Sequence, residues 1–327
     1  MHSEAISRLT VRLQQLMPEA EIQLNQEDVI SVNSQKFPNW CVLIQLQTDP
    51  NEKFQMVTSS ISLENEPAIP NLESLTDADF NLFIAGENLG LRGATLLAPA
   101  VSSSVNRSLY VRSSFLVNKG RSVDESECLL ISILTIVRFA RTLIERMLHN
   151  SLHHKFSLEM YRCQFLSQGP SRPRYIPLGR QFIDDNTQTI FQNVVRYFRH
   201  DLRYNVTLPD YNIAKIRPRQ SDDERYKFDS TLSITTESPL ITIQTPIGFS
   251  DHSPTETLRL VSKLNQNCRL GHFEVTPDGS FVTFISWKYL THDFKVETLK
   301  SLVEVSHHNA NEMVKLLSNK TFQISPN

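Results

Sequence analysis

Glycine is scarce in this chain, nine of 327 residues. Loops that cradle a phosphate need clustered glycines, because the backbone must approach the ligand closely. The densest cluster, GENLGLRG at 86–93, fits neither GxGxxG nor GxxxxGK and reads as a helix end followed by a turn. Cysteine is sparser still. Cys41, Cys128, Cys163 and Cys268 lie far apart without a CxxC pair, which points to buried thiols in a reducing compartment rather than a disulfide frame. Long apolar runs are absent: the longest, CLLISILTIV at 128–137, is about half of a bilayer span. The N-terminal MHSEAISRLTVRLQQLM is charged and amphipathic and has no cleavage site, so no signal peptide and a cytoplasmic location are expected. Excess charge of one sign is missing too. The formal net charge is −2, which argues against disorder and against a surface built for nucleic-acid phosphates.

Catalytic frames are also lacking. There is no GxSxG and no Cys–His pattern, so an enzyme is not expected, and no cofactor is expected either. His149, His153 and His154 share a helical stretch and His307 and His308 form a pair, but zinc needs three or four ligands and no HExxH is present. Such histidines read as surface residues near helix C-termini, where the dipole favours them.

What the chain does have is patterned apolar residues. Ile6, Leu9, Leu13, Leu16 and Met17 recur at helical spacing until Pro18. Strand-like pieces follow at 21–25, 29–33, 40–47 and 54–63, separated by turn residues. A helix is expected over 75–90 with Thr76 as its N-cap, then a hairpin of 93–100 and 107–117, then a long helix over about 123–150 opened by the capping-box pair Ser122 and Glu125. In the second half a helix over 182–203 carries Ile190, Val194, Phe198 and Leu202. Strands are expected at 213–219, 226–237 and 239–249, and a helix at 253–267 with Ser253 and Glu256 as a capping box. The hairpin GHFEVTPDGSFVTFISWKYL (271–290) and a final helix over about 295–318 close the chain.

The order helix, three or four strands, helix, hairpin, long helix thus occurs twice. ENLGLRGATLLAPA lies over QNCRLGHFEVTPDG, and SLYVRSSFLVNKGRSVDE over FVTFISWKYLTHDFKVET. This duplication predicts an α+β protein of two repeated domains, 1–150 and 182–327, each an antiparallel sheet packed on helices. The linker, 151–181, is stiffened by Pro170, Pro173 and Pro177. With Asn267 at a helix end, the PDG turn and the helix 295–318, the second copy resembles the C-terminal part of YbjN-like proteins, which share the fold of type III secretion chaperones. Asn88, LYVRSSFLV and helix 123–150 carry the same resemblance in the first copy. The resemblance supplies no catalytic motif. It implies a chaperone-like or adaptor-like module with a protein or peptide partner, and it implies dimeric relatives, so that a duplicated chain would fold as an intramolecular pseudo-dimer. Homo-oligomers of the whole chain stay open. A ligand-sensing regulatory domain is the alternative reading, and a hydrolase a more distant one.

Two surfaces are candidates for contact. On the second hairpin, Val282, Phe284 and Leu290 share the core face, with Lys288 as an exception. The opposite face is Phe281, Thr283, Ile285, Trp287 and Tyr289, too apolar for water. The matching face in the first copy, Ser108, Tyr110, Arg112, Ser114 and Leu116, suits water. The helix 123–150 is apolar nearly all round, with Leu129, Ile133 and Ile136 among its apolar positions, and so needs cover on more than one side. We therefore assign Phe281, Ile285, Trp287, Tyr289, Leu129, Ile133 and Ile136 to a partner or interdomain surface. Basic residues thicken over 172–227. Of these, Arg196, Arg199, Arg203, Arg217 and Arg219 form a candidate surface for an anionic partner, although seven Asp/Glu interleave and nucleic acid is not the favoured occupant.

Overall fold

The computed structural model describes residues 4–25, 29–48, 54–63, 76–89, 91–98, 109–118, 122–153, 185–218, 228–235, 240–268, 270–276, 279–291 and 294–318. The first unit runs α1 (Glu4–Leu16), β1 (Glu21–Leu24), β2 (Val29–Asn33), β3 (Cys41–Thr48), β4 (Phe54–Ser62), α2 (Asp77–Asn88), β5 (Thr95–Leu97), β6 (Tyr110–Asn118) and α3 (Ser122–His153). The second repeats it: α4 (Asp185–Arg196), β7 (Asn205–Asp210), β8 (Ile213–Arg217), β9 (Ser230–Thr235), β10 (Leu240–Phe249), α5 (Pro254–Asn267), β11 (His272–Val275), β12 (Phe281–Tyr289) and α6 (Glu297–Ser318). Each unit folds a six-stranded antiparallel sheet, ordered β1-β2-β3-β4-β6-β5 and β7-β8-β9-β10-β12-β11. The fold is α+β, with two repeated sheet units.

Local chemistry explains the elements. Thr76 caps α2 by accepting from the Asp79 N–H at 3.2 Å, and Ser253 caps α5 through the Glu256 N–H at 3.3 Å; each satisfies an orphan donor of the first turn. The expected partner half of the second box is otherwise engaged, since the Glu256 carboxylate lies 3.3 Å from His252. In α3, Leu129, Ile133, Ile136, Ala140 and Leu143 recur at helical spacing and are fully buried against the first sheet and α1. Leu16 is exposed rather than part of the α1 stripe. The tight turn of the β11–β12 hairpin passes through Gly279, which sits at φ +72 and whose Cβ would strike Pro254; only glycine serves there.

One device recurs in both copies. The Asn88 side chain spans Leu96, donating to its carbonyl at 2.9 Å and accepting from its N–H at 2.7 Å. Asn265 does the same to Phe273, at 3.0 and 2.6 Å. Both asparagines are buried. The counterpart of Asn88 is therefore Asn265 and not the exposed Asn267, which corrects the alignment of the first hairpin strands by two residues.

The helix expected over 182–203 ends earlier. After Arg196 it widens into a π-helical segment, Tyr197–Asp201, and Arg203 stands beyond it at φ +56. Arg203 consequently does not share a helix face with Arg196 and Arg199. The strand β7 was absent from the sequence expectations. The linker from 154 on, Cys163, Ser108, Arg219 and the side chains of Ser122, Glu125, His149, His153 and His154 lie outside the described residues. No helix among the described residues is long and apolar enough to cross a membrane.

Candidate functional site

The second face of β12 is covered by the first copy. Ile285, Trp287 and Tyr289 are buried in one cluster with Val57, Phe115 and Ile133 of the first unit, and Trp287 is only 2% exposed. The Tyr289 ring meets Phe115 edge-on at 5.5 Å. Its hydroxyl donates to the Gly93 carbonyl at 2.9 Å and shares a hydrogen bond with Ser113 at 2.9 Å. Burial pushes the phenol up to about 12, against the pull of its hydroxyl neighbours on the first copy. Lys288, the exception on the core face, sends Nζ across the seam to the Leu116 carbonyl at 2.8 Å and to within 3.6 Å of Cys128 Sγ.

Charge crosses the seam as well. Arg92 pairs with Glu274, His272 Nε2 lies 3.4 Å from the same carboxylate, and His272 Nδ1 lies 3.2 Å from Thr95 Oγ1. Burial pushes Glu274 up, but the Arg92 guanidinium and the His272 ring outweigh it and hold the carboxyl below its usual range. Arg112 reaches the C-terminal end of α5, donating to the carbonyls of Asn265 (2.9 Å), Gln266 (3.1 Å) and Cys268. Next to Arg112, which opposes the shift, the buried Cys268 thiol is nonetheless raised to about 12 by burial. The helices α2 and α5 pack on each other, and each also touches the other copy's outermost hairpin strand.

Several sequence expectations shift in detail. Phe281 does not join the seam; it is half-buried at the far end of β12 against Phe249. Leu129, Ile133 and Ile136 lie in the same buried cluster as Ile285, Trp287 and Tyr289. The groups of α3 that reach Lys288 and Tyr289 directly are Cys128, Ser132 and Thr135. The apolar girdle of α3 is incomplete, since Leu134 is exposed. The β6 face that reads as suited to water is not in water: Ser114 and Leu116 are buried. Their small or short side chains leave room for the aromatic anchors of β12, and a seam of that kind cannot be read from polarity alone. Of the thiols, Cys128 and Cys268 are buried and Cys41 is exposed.

With the aromatic face of β12 engaged, the outward-facing features lie elsewhere. Among the described residues, the strand β7 is the outermost of its sheet and pairs only with β8. All its residues but Val206 are exposed, Leu208 at 50%, and the pairing slips between Thr207 and Asp210. Exposed cations surround it: Arg196, Arg199, whose guanidinium lies 3.4 Å from the Val206 carbonyl, Arg203, and on β8 Lys215 and Arg217. Arg217 is held by Asp229 at 2.9 Å. The Val206–Leu208 alternation was the available signal for this strand, and Pro209 obscured it. A separate cleft of about 330 Å³ opens between the 37–40 turn and α3, lined by Phe37, Pro38, Asn39, Trp40, Arg141, Ile144 and Glu145. The Trp40 indole nitrogen is buried and has no hydrogen-bond partner among the described residues. Also among the described residues, no three His, Cys, Asp or Glu side chains gather as metal ligands.

No family model and no curated protein matches the sequence. Among solved structures, the ExsC–ExsE complex is similar over 40% of this chain and 95% of that one, at 15% identity and a TM-score of 0.31. Two di-domain ARO/CYC proteins, BexL from the BE-7585A biosynthetic pathway and StfQ from the steffimycin biosynthetic pathway, align over 96% and 97% of this chain. They cover 95% and 94% of their own lengths at 8% and 10% identity, each with a TM-score of 0.16. Likenesses at these scores carry no weight for function.

Proposed function

We propose that this chain is a non-catalytic protein-binding module, chaperone-like or adaptor-like, that takes an extended partner segment along the outer edge of β7. The exposed edge carries the reading. Unpaired strand edges are templates for another chain, and backbone hydrogen bonds supply the affinity while flanking side chains supply selectivity. Exposed Leu208 offers an apolar contact, and Pro209, lacking an N–H, confines added pairing to the residues before it.

The test begins with peptides selected from a random display library on the full-length protein. Binding is then measured to Val206→Pro and Thr207→Pro, since neighbouring strand residues point their N–H groups in opposite directions. The variant that keeps its melting temperature is the outward-facing one, and it should lose binding at least about tenfold. Selected peptides that bind both variants unchanged would remove the edge from consideration. A second reading, sensing of a small ligand, is favoured by the Trp40 cleft, where the indole N–H has no acceptor among the described residues. A metabolite-library thermal shift abolished by Arg141→Ala, with peptide binding absent, would shift the assignment there.

A further inference from the structure

We propose that the segment taken at the outer edge of β7 is acidic, an extended peptide whose carboxylates flank its apolar residues. The inference rests on the edge reading above and adds the chemistry of the occupant.

The pairing register decides what stands beside the edge. Asn205 lies opposite Arg217, and Thr207 opposite Lys215, on β8. Directly paired residues share a face of the sheet, as do residues two apart. Lys215 and Arg217 therefore stand together on the face that Asn205 and Thr207 show to water, and both are exposed. Val206, opposite the buried Ile216, has the other face. The far flank of the strand is the end of the preceding helix. Arg196 and Arg199 are exposed there, and Arg203, also exposed, stands at φ +56 in the turn that leads into β7. The Arg199 guanidinium lies against the strand itself, 3.4 Å from the Val206 carbonyl. That contact is long for an N–H···O bond. A carboxylate, which takes two arms of a guanidinium at once, displaces it.

Neighbouring acids leave this collar basic. Asp229 holds Arg217 at 2.9 Å. Asp210 accepts from the Tyr211 N–H at 2.7 Å. Glu304, whose charge reaches Tyr204, pairs with Lys300 at 3.7 Å, and Asp201 is exposed on the same stretch as Arg199. Among the described residues, no carboxylate is paired with Arg196, Arg199 or Arg203.

The edge also selects against other occupants. The β7 strand of a second copy would set the same cations against one another, and like charges across a strand pair are destabilising. Nucleic acid has no row of amide N–H and C=O groups with which to continue the ladder, and a chain of net charge −2 draws phosphates weakly. An acidic peptide meets both demands. Its backbone pairs with the edge, its carboxylates meet the arginines, and an apolar residue rests on Leu208, which is 50% exposed.

Three fluorescent peptides of one alternating apolar–polar pattern test this on the full-length protein, with the polar positions all glutamate, all glutamine or all lysine. The glutamate peptide should bind about tenfold tighter than the glutamine peptide, and the lysine peptide should not bind. Arg199→Gln with Arg203→Gln should keep the melting temperature and weaken the glutamate peptide about tenfold, as should raising the salt from about 0.05 to about 0.5 M. Equal affinity for all three peptides, lost in the outward-facing proline variant of β7, would overturn the acidic occupant and leave the edge reading standing. A glutamate preference that survives both Val206→Pro and Thr207→Pro would overturn the edge reading and this inference with it. No binding of the glutamate peptide, or a single-stranded oligonucleotide binding more tightly than that peptide, would overturn the inference as well.

Discussion

The second strands of the two hairpins hold equivalent places and face each other with unlike side chains. Where β12 presents Ile285, Trp287 and Tyr289, β6 presents Arg112, Ser114 and Leu116. Where β6 turns Phe115 into its own core, β12 has Lys288, whose Nζ leaves for the Leu116 carbonyl. A two-fold seam between identical chains must be complementary to itself, so every anchor occurs twice and the same surface must also supply the space that receives it. Two linked copies escape that condition. Here one copy supplies the anchors and the other supplies the space, the hydroxyl partners Ser113, Ser132 and Thr135, and an arginine that closes a helix end.

This division can be broken first at its anchor. Trp287→Ala should cost about 3–5 kcal/mol, the range for a large buried aromatic, and urea unfolding followed by signals from both copies should show both weakened. Loss confined to the second copy would mean that the seam contributes little to the first.

A pH effect should follow on the second copy alone. Burial lowers His307 to about 4, with Asp229 opposing, and the ring lies 2.9 Å from Ser230; the equivalent place on α3 is the exposed Leu134. A folded-state value below the unfolded one gives stability that is complete above about 6.5 and is lost as pH falls toward 4, because the unfolded chain takes the proton first. The loss should be about 3 kcal/mol at most, and in His307→Gln the slope of stability between those pH values should flatten.

The shared braces offer a control. Asn88→Ala and Asn265→Ala each strip two buried backbone groups of their partners, so each should cost about 1–3 kcal/mol, equally in both copies. Unequal losses in calorimetry would show that one unit depends on its hairpin more than the other. The smallest effect should come from Lys288→Met, which keeps the length of the side chain and removes a buried terminal nitrogen; a change within about 1 kcal/mol is expected. A large loss would mean that the Leu116 carbonyl needs that donor.

The elements were legible where pattern and cap agreed. The α3 stripe, the strands around VISVN and FQMVTSSIS, and the caps Thr76 and Ser253 follow from spacing and from orphan N–H groups near the chain itself. The face of β12 was legible as needing cover, because Trp287 and Tyr289 could not stand in water together. Its cover was not, since the receiving residues Gly93, Ser113 and Ser132 look like ordinary surface or turn residues in one dimension. The edge strand β7 was missed because Pro209 and the polar Asn205 and Thr207 hide a two-residue alternation. Asn265 was mistaken for Asn267 because two asparagines close the same helix and only the bonds to Phe273 tell them apart.

The two copies being one chain has a further consequence, for dilution. A seam between separate subunits obeys mass action and opens as the protein is thinned, so its unfolding midpoint falls with concentration. Trp287 and the cluster that receives it belong to a single molecule. Their meeting is a first-order event, so this seam adds no concentration dependence to the unfolding midpoint.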